Sequence, residues 1–316
     1  MHSNNKIWLG IEIGGTKLQI AISDSEGSLQ QLLRYTVDAT AGAAGIRAQI
    51  QKSISEIGIN TIAAIGVGFG GPVNWQTGIV QTSHQVAGWS DFHLKDWLQQ
   101  LTGAPVAVDN DANVAALAEA LYGAGCGCNP VFYMTIGSGI GGGVVMNEKI
   151  YHGALPGEVE IGHVRLTKSG TTLESRCSGW AVNKKIRSYV MENPNSFLAQ
   201  HAANHHGPEA LLLKPALEHG DSAAQQLIAS IADDRAFGLS HVVHLFHPQI
   251  IIIGGGLSLL GEPLRAAITG QLHQYTMAAF LPAPKIAIAT LGENVVPVGA
   301  LALAKNIYYE IQNKDT

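Results

Sequence analysis

The sequence predicts an α/β protein made of two similar units. In each half, an apolar strand runs into a glycine-rich bend that carries a hydroxyl residue, and a second strand returns from that bend. The first bend spans Gly14–Lys17 and the second spans Gly137–Gly139. Helical patterns follow the strands in both halves, which is typical of sheets covered by helices. We interpret the chain as an internal duplication of one fold, not as a short-period repeat.

The first half begins as a β-meander and then alternates strands with helices. Strands are predicted at residues 7–13, 18–23, 28–37, 63–69 and 106–108, an extended piece at 78–81, and helices at 40–58, at 91–101 and from about 111 onward. The helix at 40–58 is indicated by isoleucines that recur along one helical face, at Ile46, Ile50 and Ile54.

The second half repeats the strand pair and adds longer helices. Strands are predicted at 130–136, 143–147, 149–151, 249–253 and 285–289, and helices at 179–191, 207–219, 221–246, 258–275 and 298–311. Ser178 and Asp221 stand where N-caps are expected, and His247-Pro248 ends the long helix.

No low-complexity linker divides the chain, so the domain boundary is expected at a hinge within the fold. We predict a small N-terminal domain at 1–112, to which the last helix returns at 296–316. The larger C-terminal domain is predicted at 113–295.

A polar stretch, Asp109-Asn110-Asp111, lies between an apolar strand and an alanine-rich helix. Ligands of open α/β sheets bind just beyond the carboxyl ends of strands, so this stretch is expected at a binding site. A carboxylate there can accept a proton from a substrate hydroxyl. The alternative is that Asp111 only caps the helix, and this stretch alone leaves both interpretations open.

Three glycine-rich bends follow strands, at Gly14–Lys17, Gly137–Gly142 and Gly254–Gly256. Backbone amides exposed in such bends bind phosphate oxygens. The second bend matches G-x-G-x-x-G, but a strand and not a helix is predicted after it, so we reject a dinucleotide fold. The chain has no Walker loop. Three bends together with the carboxylates favour a split nucleotide site over ordinary hairpins.

Composition excludes several classes of protein. The chain has 316 residues, a net charge of -5 and no basic run, so nucleic acid and anionic membranes are not expected partners. Its three cysteines are too few for a disulfide framework, which fits a reducing cytoplasm. No signal peptide is recognised, and no apolar run reaches the length of about 18 residues that a spanning helix needs.

These motifs, in this order, resemble those of the ROK family of sugar kinases, in the actin-like ATPase superfamily. Gly10–Lys17 and Gly137–Gly141 resemble the two phosphate motifs, and Gly254–Gly256 resembles the adenosine-side motif. Asp109–Asn113 resembles the block with the catalytic aspartate, and residues 157–163 resemble the sugar-binding Glu-Ile-Gly-His motif. The resemblance covers nearly the whole chain. It implies two actin-like ATPase (ribonuclease H-like) domains with a cleft between them.

The resemblance also implies an activity, the transfer of the ATP γ-phosphate to a sugar hydroxyl, usually the 6-hydroxyl of a hexose. Asp111 would be the base. The residues implied to bind ATP are Gly14, Gly15, Thr16, Lys17, Gly137, Ser138, Gly139, Gly255 and Gly256. Those implied to hold or border the sugar are Gly71, Asn110, Glu160, His163 and Glu174. For His163 alone, a buried structural histidine is the alternative.

The chain departs from the family pattern at three places. Glu12 stands where an aspartate usually helps to place Mg²⁺, often through water. Many members bind structural zinc through the motif histidine and a following cysteine cluster, but no cysteine lies between His163 and Glu174. A zinc site needs about four ligands, and we can name at most two, so we predict no structural zinc. In the loop 83–89, which is implied to border the sugar, Gln85 replaces an asparagine.

The sequence therefore predicts a cytoplasmic, ATP- and Mg²⁺-dependent sugar kinase with glucose as its first candidate substrate. The alternatives are an N-acetylmannosamine or N-acetylglucosamine kinase, a fructokinase, and a sugar-binding pseudokinase. Some family members are transcriptional repressors, but they carry an added N-terminal helix-turn-helix, and only about six residues precede the first strand here. A homodimer is implied by the resemblance alone.

Overall fold

The computed structural model describes residues 6–24, 26–59, 62–83, 85–155, 157, 159–202 and 205–313. His84 and Glu158, which belong to two of the motifs above, lie outside the described residues. The chain divides into two compact units. The first unit comprises Met1–Glu119, Ile150–Glu158 and Glu293–Thr316, and the second comprises Ala120–Lys149 and Val159–Gly292. The domain boundaries given above stay a prediction.

The N-terminal elements follow the predicted order. They are β1 (Ile7–Ile13), β2 (Lys17–Ser23), β3 (Leu29–Thr36), α1 (Gly42–Ile57), β4 (Ile62–Phe69), β5 (Val73–Asn74), β6 (Ile79–Val80), β7 (Phe92–His93), α2 (Leu94–Thr102), β8 (Val106–Asn110) and α3 (Asp111–Tyr122). The helix predicted from residue 91 begins later, because Phe92 and His93 pair with β6.

The C-terminal elements follow the predicted order, with two short helices added to those given above. The helices predicted at 207–219 and 258–275 are shorter in the structure, and those predicted at 179–191 and 298–311 are slightly longer. They are β9 (Val131–Ile136), β10 (Ile140–Met146), β11 (Lys149–Ile150), α4 (Leu173–Cys177), α5 (Gly179–Glu192), α6 (Phe197–Ala202), α7 (Leu213–Glu218), α8 (Ser222–Phe246), β12 (Ile250–Gly254), α9 (Glu262–Tyr275), β13 (Lys285–Ile288) and α10 (Val295–Gln312). The predicted caps are confirmed, since Ser178 accepts from the Ala181 amide and Asp221 from the Ala223 amide. Within the described ranges, no helix is both long and apolar enough to cross a membrane.

Each unit contains one five-stranded sheet of the same topology. The sheet of the first unit has the order β3-β2-β1-β4-β8, and that of the second has the order β11-β10-β9-β12-β13. In both, an antiparallel strand pair is followed by parallel neighbours. The predicted α/β fold class is confirmed, and the equivalent sheet orders agree with an internal duplication.

Helix α10 lies directly on β1 and β4 of the first sheet. A Cβ atom built on Gly10 would lie 2.6 Å from the Pro297 carbonyl oxygen, and one on Gly66 would overlap the Ala300 carbonyl oxygen. Because these two strand positions lack side chains, helix and sheet are in backbone contact. This packing holds α10 against the middle of β1 and β4, the two strands whose carboxyl ends lead into the first candidate site residues.

Candidate active site

The junction of β8 and α3 carries the polar stretch that the sequence singled out. Asn110 Oδ1 accepts a hydrogen bond from the Ala112 amide at 2.9 Å, so Asn110 caps α3. Its Nδ2 donates to the Gly71 carbonyl oxygen at 3.2 Å. Asp111 is half-buried in the first turn of the helix. The structure therefore gives a capping role to Asn110 and leaves Asp111 as a candidate for chemistry.

The Asp109 side chain is held by neighbouring groups of the protein. This side chain is buried, and its Oδ1 accepts from the Asn110 amide at 2.8 Å and from Asn113 Nδ2 at 3.0 Å. Its Oδ2 lies 2.6 Å from Nε2 of His152. Since both oxygens have protein partners, Asp109 is a structural carboxylate. Asp111, the aspartate that the family resemblance implies as base, stays the candidate.

Gly70 connects Asp111 with the first glycine bend. Its amide donates to the Ile13 carbonyl oxygen at 2.8 Å, which ties the end of β4 to the end of β1. A Cβ atom built on Gly70 would lie 3.4 Å from Asp111 Oδ2 and 3.5 Å from Gly14 Cα. Within the first unit, the candidate base therefore lies beside the candidate phosphate bend.

A charged pair stands beside this bend. The Glu12 side chain is 8% exposed, and its Oε1 lies 3.1 Å from Nζ of Lys17. Its Oε2 accepts from Gln19 Nε2 at 2.6 Å. Burial raises the pKa of Glu12, and the charge of Lys17 and the bond from Gln19 oppose that rise. The first phosphate motif thus combines a buried carboxylate, Glu12, with a half-exposed lysine, Lys17.

Gln85 also reaches this bend, which sequence reasoning did not anticipate. A Cβ atom on Gly15 would overlap the Gln85 side chain, so the Gln85 amide packs directly on the Gly15 backbone. The sequence placed Gln85 only in a loop implied to border the sugar. No local pattern signals this contact, because the two residues are brought together by the fold.

The second bend lies beside two parts of the implied sugar site. Glu174 Oε2 accepts from the Ile140 amide at 2.7 Å, and a Cβ atom on Gly139 would come within 2.6 Å of the same oxygen. A Cβ atom on Gly162 would overlap the Ile140 carbonyl oxygen. Glu174 and the 160–163 motif therefore meet at Ile140, the first residue of β10. The second bend is also tighter than predicted, because β10 begins at Ile140 and not at residue 143.

A short 3₁₀ turn spans Ile161–His163, with Glu160 immediately before it and His163 as its last residue. Ile161 and Gly162 are buried, whereas Glu160 and His163 are exposed. The exposed histidine contradicts the alternative of a buried structural residue. The two polar side chains of the motif are thus presented by a buried backbone.

The segment that carries Glu174 is held by protein contacts. Thr172 and Ser175 form a capping box at the start of α4. Arg176 pairs with Asp234 at 2.9 Å, and the fully buried Arg235 donates to the Cys177 carbonyl oxygen at 2.8 Å. No local pattern in the sequence identifies these partners on α8. The absence of structural zinc stays a prediction.

Cys177, in this segment, is expected to be chemically inert in the folded protein. Its side chain is fully buried, and burial raises the pKa of its thiol to about 11, although the charge of Arg235 opposes the rise. At pH 8 only about one thiol in a thousand would be the reactive thiolate. We expect Ellman's reagent to modify Cys126 and Cys128 in the native protein, and Cys177 only after denaturation. If all three thiols of the native protein reacted with Ellman's reagent at equal rates, the burial of Cys177 would be contradicted.

The third glycine bend touches the end of β9. Gly255 has a φ of 78°, and a Cβ atom there would lie 2.6 Å from the Ile136 backbone nitrogen and oxygen. Ile136 immediately precedes the second bend, whose Gly137 carbonyl oxygen accepts from the Gly179 amide at 2.8 Å. Within the second unit, the second and third bends are therefore neighbours.

Comparison with known proteins identifies the family. The model of the ROK family matches residues 8–307. The chain belongs to the ROK family. A glucokinase of Halalkalibacterium halodurans is 30% identical over 96% of this chain and 96% of its own length. A glucokinase of Thermotoga maritima is 28% identical, over 94% of this chain and 96% of its own.

A solved ROK structure supports the same assignment. The ROK family glucokinase from Streptomyces griseus, in complex with glucose and AMPPNP, is 28% identical to this chain. The similarity covers 95% of this chain and 99% of that protein, with a TM-score of 0.78. The family and the actin-like ATPase fold that the motifs predicted are both confirmed.

Proposed function

We propose that this ROK protein transfers the γ-phosphate of ATP to a hexose hydroxyl, first of all the 6-hydroxyl of glucose, with Asp111 as general base. The protein is a sugar kinase, because glucokinases match it over nearly its whole length and a ROK glucokinase shares its fold. One observation supports the finer proposal most strongly. A Cβ atom built on Gly70 would lie within 3.5 Å of both Asp111 Oδ2 and Gly14 Cα.

In this proposal Asp111 accepts the proton of the attacking sugar hydroxyl. Phosphoryl transfer needs mainly positioning and charge stabilisation, and a carboxylate beside the acceptor oxygen assists the attack. Asp109 is unsuited to this role, since its oxygens already accept from Asn110, Asn113 and His152. The base is proposed at the start of α3, on a backbone fixed by the Asn110 cap.

The glycine bends are proposed to bind the nucleotide. Their backbone amides and the Lys17 ammonium group would compensate the charge of the phosphates. The proposed ATP-binding residues are Gly14, Gly15, Thr16, Lys17, Gly137, Ser138, Gly139, Gly255 and Gly256. Since the Gln85 amide packs on Gly15, this side chain would shift or donate to a phosphate when ATP binds.

The sugar is proposed to be held by directional hydrogen bonds from Asn110, Glu160, His163 and Glu174, with Gly71 bordering it. Asn110 and Glu174 each already bond to backbone groups, which orients them. Each retains further hydrogen-bonding capacity, because an amide has a second N–H and a carboxylate has further lone pairs. A homodimer and a cytoplasmic location stay predictions.

The first unit fits a Mg²⁺ ion that arrives with the nucleotide. Mg²⁺ is usually bound by one or two carboxylates, water and substrate phosphates, and not by an all-protein cage. The buried Glu12 carboxylate, which contacts Lys17 and Gln19, would accept a further hydrogen bond from a water of such an ion through its remaining lone pairs. The ion would neutralise charge on the phosphates during transfer.

Replacing Glu12 with Gln should raise the Mg²⁺ concentration needed for half-maximal rate by about tenfold, because residues that hold metal-bound water contribute that much to affinity. Initial rates at fixed ATP and sugar, over a Mg²⁺ titration, measure this. Glu56→Gln, an exposed change on α1, is the matched control. An unchanged Mg²⁺ requirement in Glu12→Gln would remove Glu12 from the proposed metal site.

The proposed activity is tested by ADP release with Mg-ATP across glucose, mannose, fructose, allose, N-acetylglucosamine and N-acetylmannosamine. We expect glucose to give the highest kcat/KM. A stronger response to an amino sugar or to fructose would reassign the substrate. Polyphosphate in place of ATP tests the choice of donor, with formation of sugar phosphate as the readout, because transfer from polyphosphate releases no ADP. If a folded sample formed no product with any of these sugars and either donor, the proposed function would be contradicted.

A further inference from the structure

His152 lies outside every motif, yet it contacts the polar stretch that carries the candidate base. It follows β11 and belongs to the first unit. Its Nε2 lies 2.6 Å from Asp109 Oδ2. Its ring is stacked on the Trp75 indole, with 4.1 Å between the ring centroids and 16° between the planes.

The contact completes the hydrogen bonding of a buried carboxylate. Asp109 is 3% exposed, and a buried carboxylate is costly unless its oxygens accept hydrogen bonds. Oδ1 is satisfied by the Asn110 amide and by Asn113 Nδ2, which lie on both sides of Asp111 in the chain. Oδ2 is satisfied by His152, which must donate, since an ionised carboxylate only accepts.

Asp109 therefore links three parts of the first unit. It joins the end of β8, the first turn of α3 and the segment with His152. Asp111 is the first residue of α3, directly after the end of β8. An imidazole stacked on an indole has little freedom to rotate, so Trp75 restricts the direction from which His152 donates its hydrogen bond. A shift of Asp109 would be passed to Asp111 through Asn110 and Asn113.

We propose that His152 is a positioning residue for phosphoryl transfer, which holds Asp109 and through it sets the orientation of Asp111. The inference rests on the proposed role of Asp111 as base. His152 does not touch the reacting atoms in this account. It acts on the rate of the chemical step, because a displacement of about 1 Å at a reacting group can cost a hundredfold in rate.

His152→Ala is expected to lower kcat roughly ten- to a hundredfold, with the KM for ATP changed less than about twofold. His152→Gln, which retains an N–H donor, should recover most of that loss. His93→Ala is the matched control, because His93 pairs with Asp96 at 3.0 Å on the surface of the same unit. The control should keep the wild-type kcat.

A readout independent of activity is the imidazole Nε2–H proton in the NMR spectrum. Hydrogen-bonded to a buried carboxylate, it should exchange slowly and resonate far downfield. We expect this signal in the wild type and in His93→Ala, and its loss in His152→Gln and Asp109→Asn. The double variant Asp109→Asn/His152→Ala should lose no more kcat than the worse single variant, as for two residues that act as a unit.

Two results would overturn the proposal. The first is a kcat of His152→Ala within twofold of wild type. The second is a loss of kcat that His152→Gln fails to rescue although both variants melt at the wild-type temperature. Failure of the proposed function shows separately, because the wild type itself would then form no sugar phosphate, while the NMR signal would still report the contact.

Discussion

The substitution Asp111→Asn is expected to reduce kcat about a thousandfold, since a positioned general base contributes about 10²–10⁴ in rate. Asparagine has nearly the same shape as aspartate but cannot take the sugar proton. The sugar should still bind with an affinity within a few fold of wild type, because the amide retains one acceptor oxygen. Steady-state kinetics and calorimetric titration with the preferred sugar measure the two effects separately.

Asp96→Asn is the matched control for this substitution. Asp96 lies exposed in the first turn of α2 and pairs only with the surface residue His93 among the described contacts. The control should keep the wild-type kcat and sugar affinity. A kcat of Asp111→Asn within tenfold of wild type would show that Asp111 is not the base.

Gly255→Ala is expected to have the second-largest effect, on ATP binding and on stability together. The backbone there has a φ of 78° and a ψ of -179°, a region that is essentially restricted to glycine and costs a residue with a side chain about 1–3 kcal/mol. The new methyl group would also lie 2.6 Å from the Ile136 backbone, which cannot turn aside as a side chain can. We expect the free energy of unfolding to fall by about 2–4 kcal/mol and the KM for ATP to rise at least tenfold.

Gly270→Ala, in α9, provides the matched comparison outside the proposed ATP-binding residues. Nothing lies within 4 Å of a Cβ atom built on Gly270, so the variant should fold and bind ATP much like the wild type. Thermal melts and ATP titrations of both variants test the prediction. If Gly255→Ala melted at the wild-type temperature and kept its KM for ATP, the close contact between the third bend and β9 would be refuted.

Local signals made much of the fold predictable. β1 has the predicted bounds, and α5 and α8 begin after the predicted caps, Ser178 and Asp221. These elements depend on apolar periodicity and on capping side chains, which act within a few residues. The glycine bends were predictable because their glycines are close together in the sequence. The start of β10 at Ile140 was missed, because an isolated glycine run does not show where pairing with β9 begins.

Contacts between distant parts of the chain could not be predicted. His152 and Asp109 are 43 residues apart, and Arg235 and the Cys177 carbonyl are 58 apart. Gln85 reaches Gly15 only through the fold. Each partner alone is an ordinary polar residue, and its role depends on which elements pack together. The family motifs identified the candidate base and the bends, whereas the side chains that position them required the structure.

The central claim, transfer of phosphate from ATP to a sugar hydroxyl with Asp111 as base, is tested most directly by ³¹P NMR of a reaction with equal amounts of ATP and glucose. The account predicts ADP and one phosphomonoester of glucose at the 6-position, in a one-to-one ratio, with almost none in Asp111→Asn over the same time. ADP with free inorganic phosphate, or equal turnover by wild type and Asp111→Asn, would contradict it.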